Sequence, residues 1–149
     1  MLALTIKQPW AALIAAGIKG VENRTWSMRV VLGRRIAIHA GMTYDEDGES
    51  WAIERLPYAR SSRIVMNSRD TRGAIVATAV VQEFIQRRPR AAPARISDWW
   101  CGPVGWVLRD VCKLEVPIQC KGAQGLWTVP RDIAAQLDAL AGDSRPARR

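Results

Sequence analysis

Hydrophobic and polar positions fall into distinct periodicities along this chain of 149 residues. Residues 2–7, LALTIK, alternate and are rich in strand formers, which predicts a short first strand. Pro9 suits the first turn of a helix, and Trp10, Leu13, Ile14 and Gly17 recur at helical spacing. Gly17 is a good helix stop. The next residues, GVENRTW, read as a strand, with Glu22, Arg24 and Trp26 on one face and Val21, Asn23 and Thr25 on the other. MRVVLGRRIAIHA predicts a strand, a turn at Gly33 and a second strand in which Ile36 and Ile38 oppose Arg35, Ala37 and His39. Residues 41–72 are polar and mixed, with an acidic loop leading into a helix packed through Trp51, Ile53 and Leu56.

RGAIVATAVVQEFI is the strongest strand of the sequence. QRRPRAAPAR follows, where prolines exclude both a helix and a central strand, so an exposed basic loop is expected. GWVLRDVCKL is a further strand. PIQCKGAQGLWTVP is a glycine-punctuated loop ending in a short strand, and RDIAAQLDAL is a terminal helix. The order is β, α, then mostly β with helical insertions, and no internal repeat appears. It predicts an α+β domain over residues 1–140, a small mixed β-barrel with helices outside, followed by a basic disordered tail at 141–149. A doubly wound sheet is disfavoured because strands and helices do not alternate regularly.

Charge changes the picture more than composition does. A hydrophobic share of 48% is ordinary, but the net charge is +8, and seven tryptophans stand against one phenylalanine and two tyrosines. A basic small domain suits a polyanion, because clustered Lys and Arg displace phosphate counterions. Solubility is the bland alternative. No apolar run is long enough to span a bilayer, and the start MLALTIKQPW lacks a basic n-region, so a cytoplasmic protein is expected. The cysteines, Cys101, Cys112 and Cys120, fit no zinc or redox spacing. His39 is the single histidine, which removes any two-histidine metal site. No metal or cofactor is expected.

The densest candidate chemistry is Lys19, Glu22 and Arg24, flanked by Trp10 and Trp26. The plain reading is a solvated salt-bridge cluster. The alternative is a cleft in which a carboxylate accepts from an exocyclic amine, a guanidinium donates and an indole stacks on a base. The same groups suit acid–base chemistry, with Lys19 as base or electrophile and Glu22 as its partner. Among other candidates, Trp106 is the indole expected to stack or wall the cleft, while Trp127 is expected in the core. His39 is weighed between a structural and a site role. Arg87, Arg88, Arg90 and Arg95, with Lys121, are candidates for phosphate contact. Asp45 to Glu49 read as a solvated turn.

The stretch LTIKQPWAALIAAGIKGVENRTW closely resembles the opening of the ASCH domain (activating signal cointegrator homology), in the PUA-like superfamily. Gly17, Lys19, Glu22 and Arg24 meet that family's G-x-K-x-x-E-x-R pattern in full, and GRRIAIHA, GPVGWVL and PIQCKGAQGLWTVP resemble its later strands. The resemblance spans roughly residues 3–130. It implies a PUA-like barrel of five or six strands with flanking helices, a cleft lined by the motif, and RNA or DNA binding. One branch acts as an N4-acetylcytidine amidohydrolase through a lysine, a threonine three residues later and a distant glutamate, and other relatives are ribonucleases. Lys19 matches the lysine, but Glu22 stands where that branch carries threonine and offers no hydroxyl. The expectation is therefore a binder of RNA or single-stranded nucleic acid holding a base among Trp10, Lys19, Glu22, Arg24, Trp26, His39 and Trp106. A hydrolase using Lys19 and Glu22 is the second reading. A small interaction module is the third, favoured if the three charges pair fully and leave no cavity.

Overall fold

In the computed structural model, which describes residues 1–56 and 60–143, the alternating N-terminal run forms β1 (Leu2–Gln8) and is followed by α1 (Trp10–Ala15) and β2 (Val21–Arg24). A single 3₁₀ turn at Arg29–Val31 leads into β3 (Arg35–Tyr44), α2 (Glu46–Arg55) and α3 (Arg60–Ser68). Then come β4 (Ala74–Ile85), α4 (Ala94–Ser97), β5 (Val104–Gln119), β6 (Leu126–Thr128) and α5 (Arg131–Asp143). Helix α5 runs three residues past the expected domain boundary at 140, and residues 144–149 of the expected tail lie outside the described residues.

The six strands form one mixed sheet in the order β2-β5-β4-β3-β1-β6. β1 runs parallel to β3, and the other neighbours are antiparallel. The α+β class and the strand count follow the expectation, but the sheet is not closed into a barrel. Its edges are too short to complete one: β2 has four residues and pairs with β5, while β6 has three and pairs with β1. The sheet is nevertheless strongly bent. The β4–β5 ladder shifts register three times, between Ile75 and Ala77, Thr78 and Val80, and Val81 and Glu83, and such bulges add twist and curvature. Bending brings edge strand β2 back toward β1, so that the Arg24 guanidinium donates to the Thr5 carbonyl across the gap.

The concave side of the bent sheet holds the main core: Leu4, Ile6, Ile14, Ile36, Ile38, Val81, Trp106 and Leu108 pack together with Trp26 and Phe84 at its margin. Leu13, Val21, Ala52, Val65, Ile96, Trp99 and Val107 make a second cluster under α2, α3 and α4. Ala3, Ala37, Ile75, Leu114, Val129 and Leu137 make a third beneath α5. β3 is therefore covered on both faces, and for that reason Ala37 and His39 are as buried as Ile36 and Ile38. Residues 28–32, expected as a strand, instead form the 3₁₀ turn with one bridge from Leu32 to Val81. The acidic cluster expected in a loop is the start of α2, where the Asp45 carboxylate caps the Gly48 N–H at 2.8 Å.

Candidate nucleic-acid cleft

The site starts with how α1 ends. Gly17 takes φ +73°, a left-handed conformation suited to glycine. The Gly17 N–H then bonds the Ile14 carbonyl at 2.9 Å, and the Ile18 N–H bonds the Leu13 carbonyl at 3.0 Å, which is a Schellman stop. The Lys19 N–H joins the same Leu13 carbonyl at 3.1 Å, which turns the chain and sends the lysine side chain inward. Its ammonium donates to the Val21 carbonyl and, at 2.8 Å, to Glu22 Oε2. Arg24 Nε lies 3.4 Å from Glu22 Oε1, within ion-pair range but not aligned as a hydrogen bond. The Lys19 and Glu22 side chains are 4% and 10% exposed, so this is a buried ion cluster and not a solvated one.

A cavity of about 1180 Å³ opens beside it in the gap between β2 and β1, lined by Trp10, Glu22, Asn23, Arg24, His39 and the 119–125 loop among others. A second lobe of about 290 Å³ shares Trp10, Glu22, Asn23 and Asp45 with the first and adds Lys19, Trp51, Trp99 and Cys101. Trp10, Trp51 and Trp99 meet edge to face, with ring centroids 5.5–6.2 Å apart. Trp10 is fixed by its Nε1 proton, donated to Asp45 Oδ2 at 2.9 Å. The three charges thus pair with one another and still leave a large cavity.

His39 forms part of the floor. The Cys120 carbonyl can only accept, so Nε2 carries the ring proton and donates at 2.9 Å, while Nδ1 faces Thr5 Oγ1 at 3.3 Å. Thr5 itself donates to the Ala123 carbonyl at 2.6 Å and accepts from Trp127 Nε1 at 2.9 Å. Gly122 lies flat against the imidazole, where any Cβ would overlap the ring. Burial pushes the His39 pKa below its ordinary 6.5, partly opposed by the Cys120 hydrogen bond. Burial, with the Asp132 charge, pushes the Cys120 thiol up, away from thiolate chemistry. Among the described residues no three His, Cys, Asp or Glu side chains form a metal-binding group.

The expected site residues divide. Trp10, Lys19, Glu22, Arg24, His39 and Lys121 line one or both lobes. Trp106 does not: it is fully buried, donates Nε1 to the Trp26 carbonyl at 2.8 Å and packs between Trp26 and Phe84, so it offers no face to a base. Trp26 sits against Trp106, with Arg24 over its ring at 6.0 Å, and is not part of the cleft wall. Arg87, Arg88 and Arg90 are exposed on the loop after β4 and lie outside the cleft. Arg95 is committed to the scaffold through the Leu108 carbonyl at 3.1 Å. Sequence reasoning makes Trp51 a packing residue, turns Asn23 away from Glu22, prefers Trp106 to Trp99 as the cleft indole and gives Thr5, Lys7 and Arg72 no role, yet Trp51, Asn23, Trp99, Thr5, Lys7 and Arg72 all line a lobe. The QPW and glycine-loop motifs flank these positions and were the available signal.

The sequence profile of the ASCH domain family matches residues 4–99, a stretch that contains the helix stop, the ion cluster and Trp99. The chain belongs to the ASCH domain family. Its fold is similar to crystal structures of ASCH from Zymomonas mobilis, at 16% identity and TM-score 0.53, covering 93% of this chain and 94% of that one. A tyrosine-to-phenylalanine variant of the Zymomonas protein matches at TM-score 0.53 and 16% identity over 93% and 96%, and a serine-to-alanine variant at 0.51 and 16% over 93% and 94%. At this identity the likeness concerns the ASCH fold alone. No curated protein sequence matches the chain. The ASCH family is associated with RNA binding. Among the described residues no helix is long and apolar enough to cross a membrane.

Proposed function

We propose that this ASCH protein binds RNA or single-stranded nucleic acid and seats a nucleobase in the cleft beside Lys19, Glu22 and Arg24. The observation that carries the reading is a largely buried cation–carboxylate–cation cluster in the wall shared by the two lobes of the cleft, with Glu22 and the Trp10 indole on both, Arg24 on the larger and Lys19 on the smaller. Such a wall offers donors, acceptors and a stacking surface to a planar, edge-polar ring. The exposed arginines 87, 88 and 90 and the net charge of +8 support contact with phosphates outside the cleft. Fluorescence titration with short RNA and DNA single strands tests this, since Trp10 reports on the cleft. Saturable quenching that weakens with salt is expected. No binding to either polymer at low salt would overturn it.

Hydrolysis of a modified nucleoside, of the N4-acetylcytidine type, or of RNA is the second reading. What favours it is the 2.8 Å contact between the Lys19 ammonium and Glu22, an amine–carboxylate pair at the cleft wall. Against it stands the carboxylate at position 22, where a hydroxyl nucleophile would be needed. Incubation with N4-acetylcytidine and with labelled RNA, with and without EDTA, decides it by product formation. The fold, the charge and the family suit a cytoplasmic partner of RNA.

A further inference from the structure

The two lobes of the cleft differ in chemistry. The smaller has three indoles and the ion cluster. The larger is rimmed by cations from three separate segments: Lys7 on β1, Arg72 in the turn before β4, and Lys121 in the β5–β6 loop. Among the described residues none of these three forms an ion pair, and all three are exposed. The carboxylates in the same wall are already engaged. Glu22 is held by Lys19 and Arg24, and Asp45 accepts from Trp10 Nε1 and the Gly48 N–H. Among the described residues four cations, Lys7, Arg24, Arg72 and Lys121, stand against two carboxylates, Glu22 and Asp45, so the lining of the larger lobe keeps a net positive charge.

Its backbone is shaped for that display. β1 and β3 pair regularly through Ile6 and Ala40, and pairing resumes at Gln8 and Tyr44. One residue, Lys7, thus stands opposite three, Gly41 to Thr43, and all four line the cleft. A bulge of this kind re-aims side chains at the end of a ladder. Arg72 reaches across to the Met42 carbonyl at 3.5 Å, which holds the guanidinium at the same rim. The cavity also exceeds the ~300–1,000 Å³ usual for a small-molecule pocket. It has room for more than one nucleoside.

Resting on the nucleobase reading above, we infer that the cleft is a divided site for a single-stranded polynucleotide: the indole lobe takes one base, and Lys7, Arg72 and Lys121 form a track for the flanking backbone phosphates. Free nucleosides then bind weakly, and affinity is built by phosphates on the track. Arg24 and Lys19 remain committed to Glu22 and contribute little to the salt dependence.

The test compares wild-type protein with a Lys7→Gln/Arg72→Gln/Lys121→Gln variant. The probes are a fluorescein-labelled single-stranded octaribonucleotide, the matching octadeoxyribonucleotide and free cytidine, titrated from low to moderate salt. The substituted residues are surface side chains, and an unchanged melting temperature checks the fold. The expected result is at least a tenfold loss of affinity for the octamers, with a log K against log salt slope shallower by about 2, from roughly 0.7 per lost phosphate contact on a single strand. Cytidine affinity is expected to be unchanged. A wild-type protein that binds the octamers, with affinity and slope unaltered in the variant, overturns the phosphate track and leaves the base site standing. A wild-type protein that binds cytidine as tightly as the octamers also overturns the track. A wild-type protein that binds none of the three probes overturns the nucleic-acid reading itself.

Discussion

Replacing Glu22 by glutamine removes one charge from a buried cluster without changing its shape. At 2.8 Å and an effective dielectric constant near 20, the Lys19–Glu22 attraction is about 6 kcal/mol, and that of Arg24 at 3.4 Å about 5 kcal/mol. Most of this gross attraction is spent on desolvating the three groups. The measurable quantity is the cost of leaving an ammonium buried without its counter-ion, typically about 3–5 kcal/mol. The amide oxygen of glutamine can still accept one hydrogen bond, so Glu22→Gln is expected to cost about 3 kcal/mol. With a urea m-value of about 2 kcal/mol/M, the unfolding midpoint falls by about 1.5 M, read from tryptophan fluorescence. The double variant Lys19→Met/Glu22→Leu should be more stable than Glu22→Gln alone, because an apolar pair leaves no stranded ammonium and Arg24 keeps its bond to the Thr5 carbonyl. A loss below about 1 kcal/mol in Glu22→Gln would place the cluster with ordinary surface pairs and refute the reasoning.

Three further outcomes are expected. Trp106→Ala removes a fully buried indole and should destabilise the domain by about 3–5 kcal/mol, visible in the same urea titration; a near-neutral result would contradict its place in the core. Because the folded-state pKa of His39 lies below its unfolded value of 6.5, the unfolded chain binds the proton first as pH falls. The stability contributed by the neutral ring is therefore complete above about pH 6.5 and is lost as pH drops through the folded pKa; a melting-temperature series at falling pH should show this, and His39→Gln should flatten it. Arg87→Ala/Arg88→Ala/Arg90→Ala should leave stability within about 0.5 kcal/mol, as surface changes usually do, and weaken nucleic-acid binding alike for all sequences; unchanged affinity and salt slope in an anisotropy titration would remove these arginines from the interface.

Local rules made the elements readable. Alternation gave β1 and β3, β-branched density gave β4, and a glycine after an apolar helical stripe gave the end of α1 and so the place where Lys19 turns inward. Long-range geometry was less accessible. Helix α3 has polar residues at most positions and was absorbed into a mixed loop, although Val65 is buried in the core. The places of the tryptophans are hard to read for the same reason. Trp106 and Trp99 sit in equally aromatic stretches. Opposed residues of a ladder share a face, so Trp106 lies on the Glu22 face of β5, and it is buried there because Trp26 and Phe84 pack on its ring. Among the rim cations, Lys121 is readable from its glycine-punctuated loop. Lys7 and Arg72 are isolated in sequence and come to one rim only because the sheet bends.

That bend leaves a seam between β2 and β1 that is crossed by the Arg24 side chain and by no backbone ladder. Side chains that line the seam can therefore be exchanged without breaking a strand pair, while Gly122 stays fixed by the His39 ring. Backbone groups make the ladders and side chains of the same strands make the chemistry of the gap, so the side chains can change while the pairing stands. A seam of this kind lets one frame carry different chemistry in the gap. It also marks where redesign of this domain should begin: at the rim of the gap, with the ladders untouched.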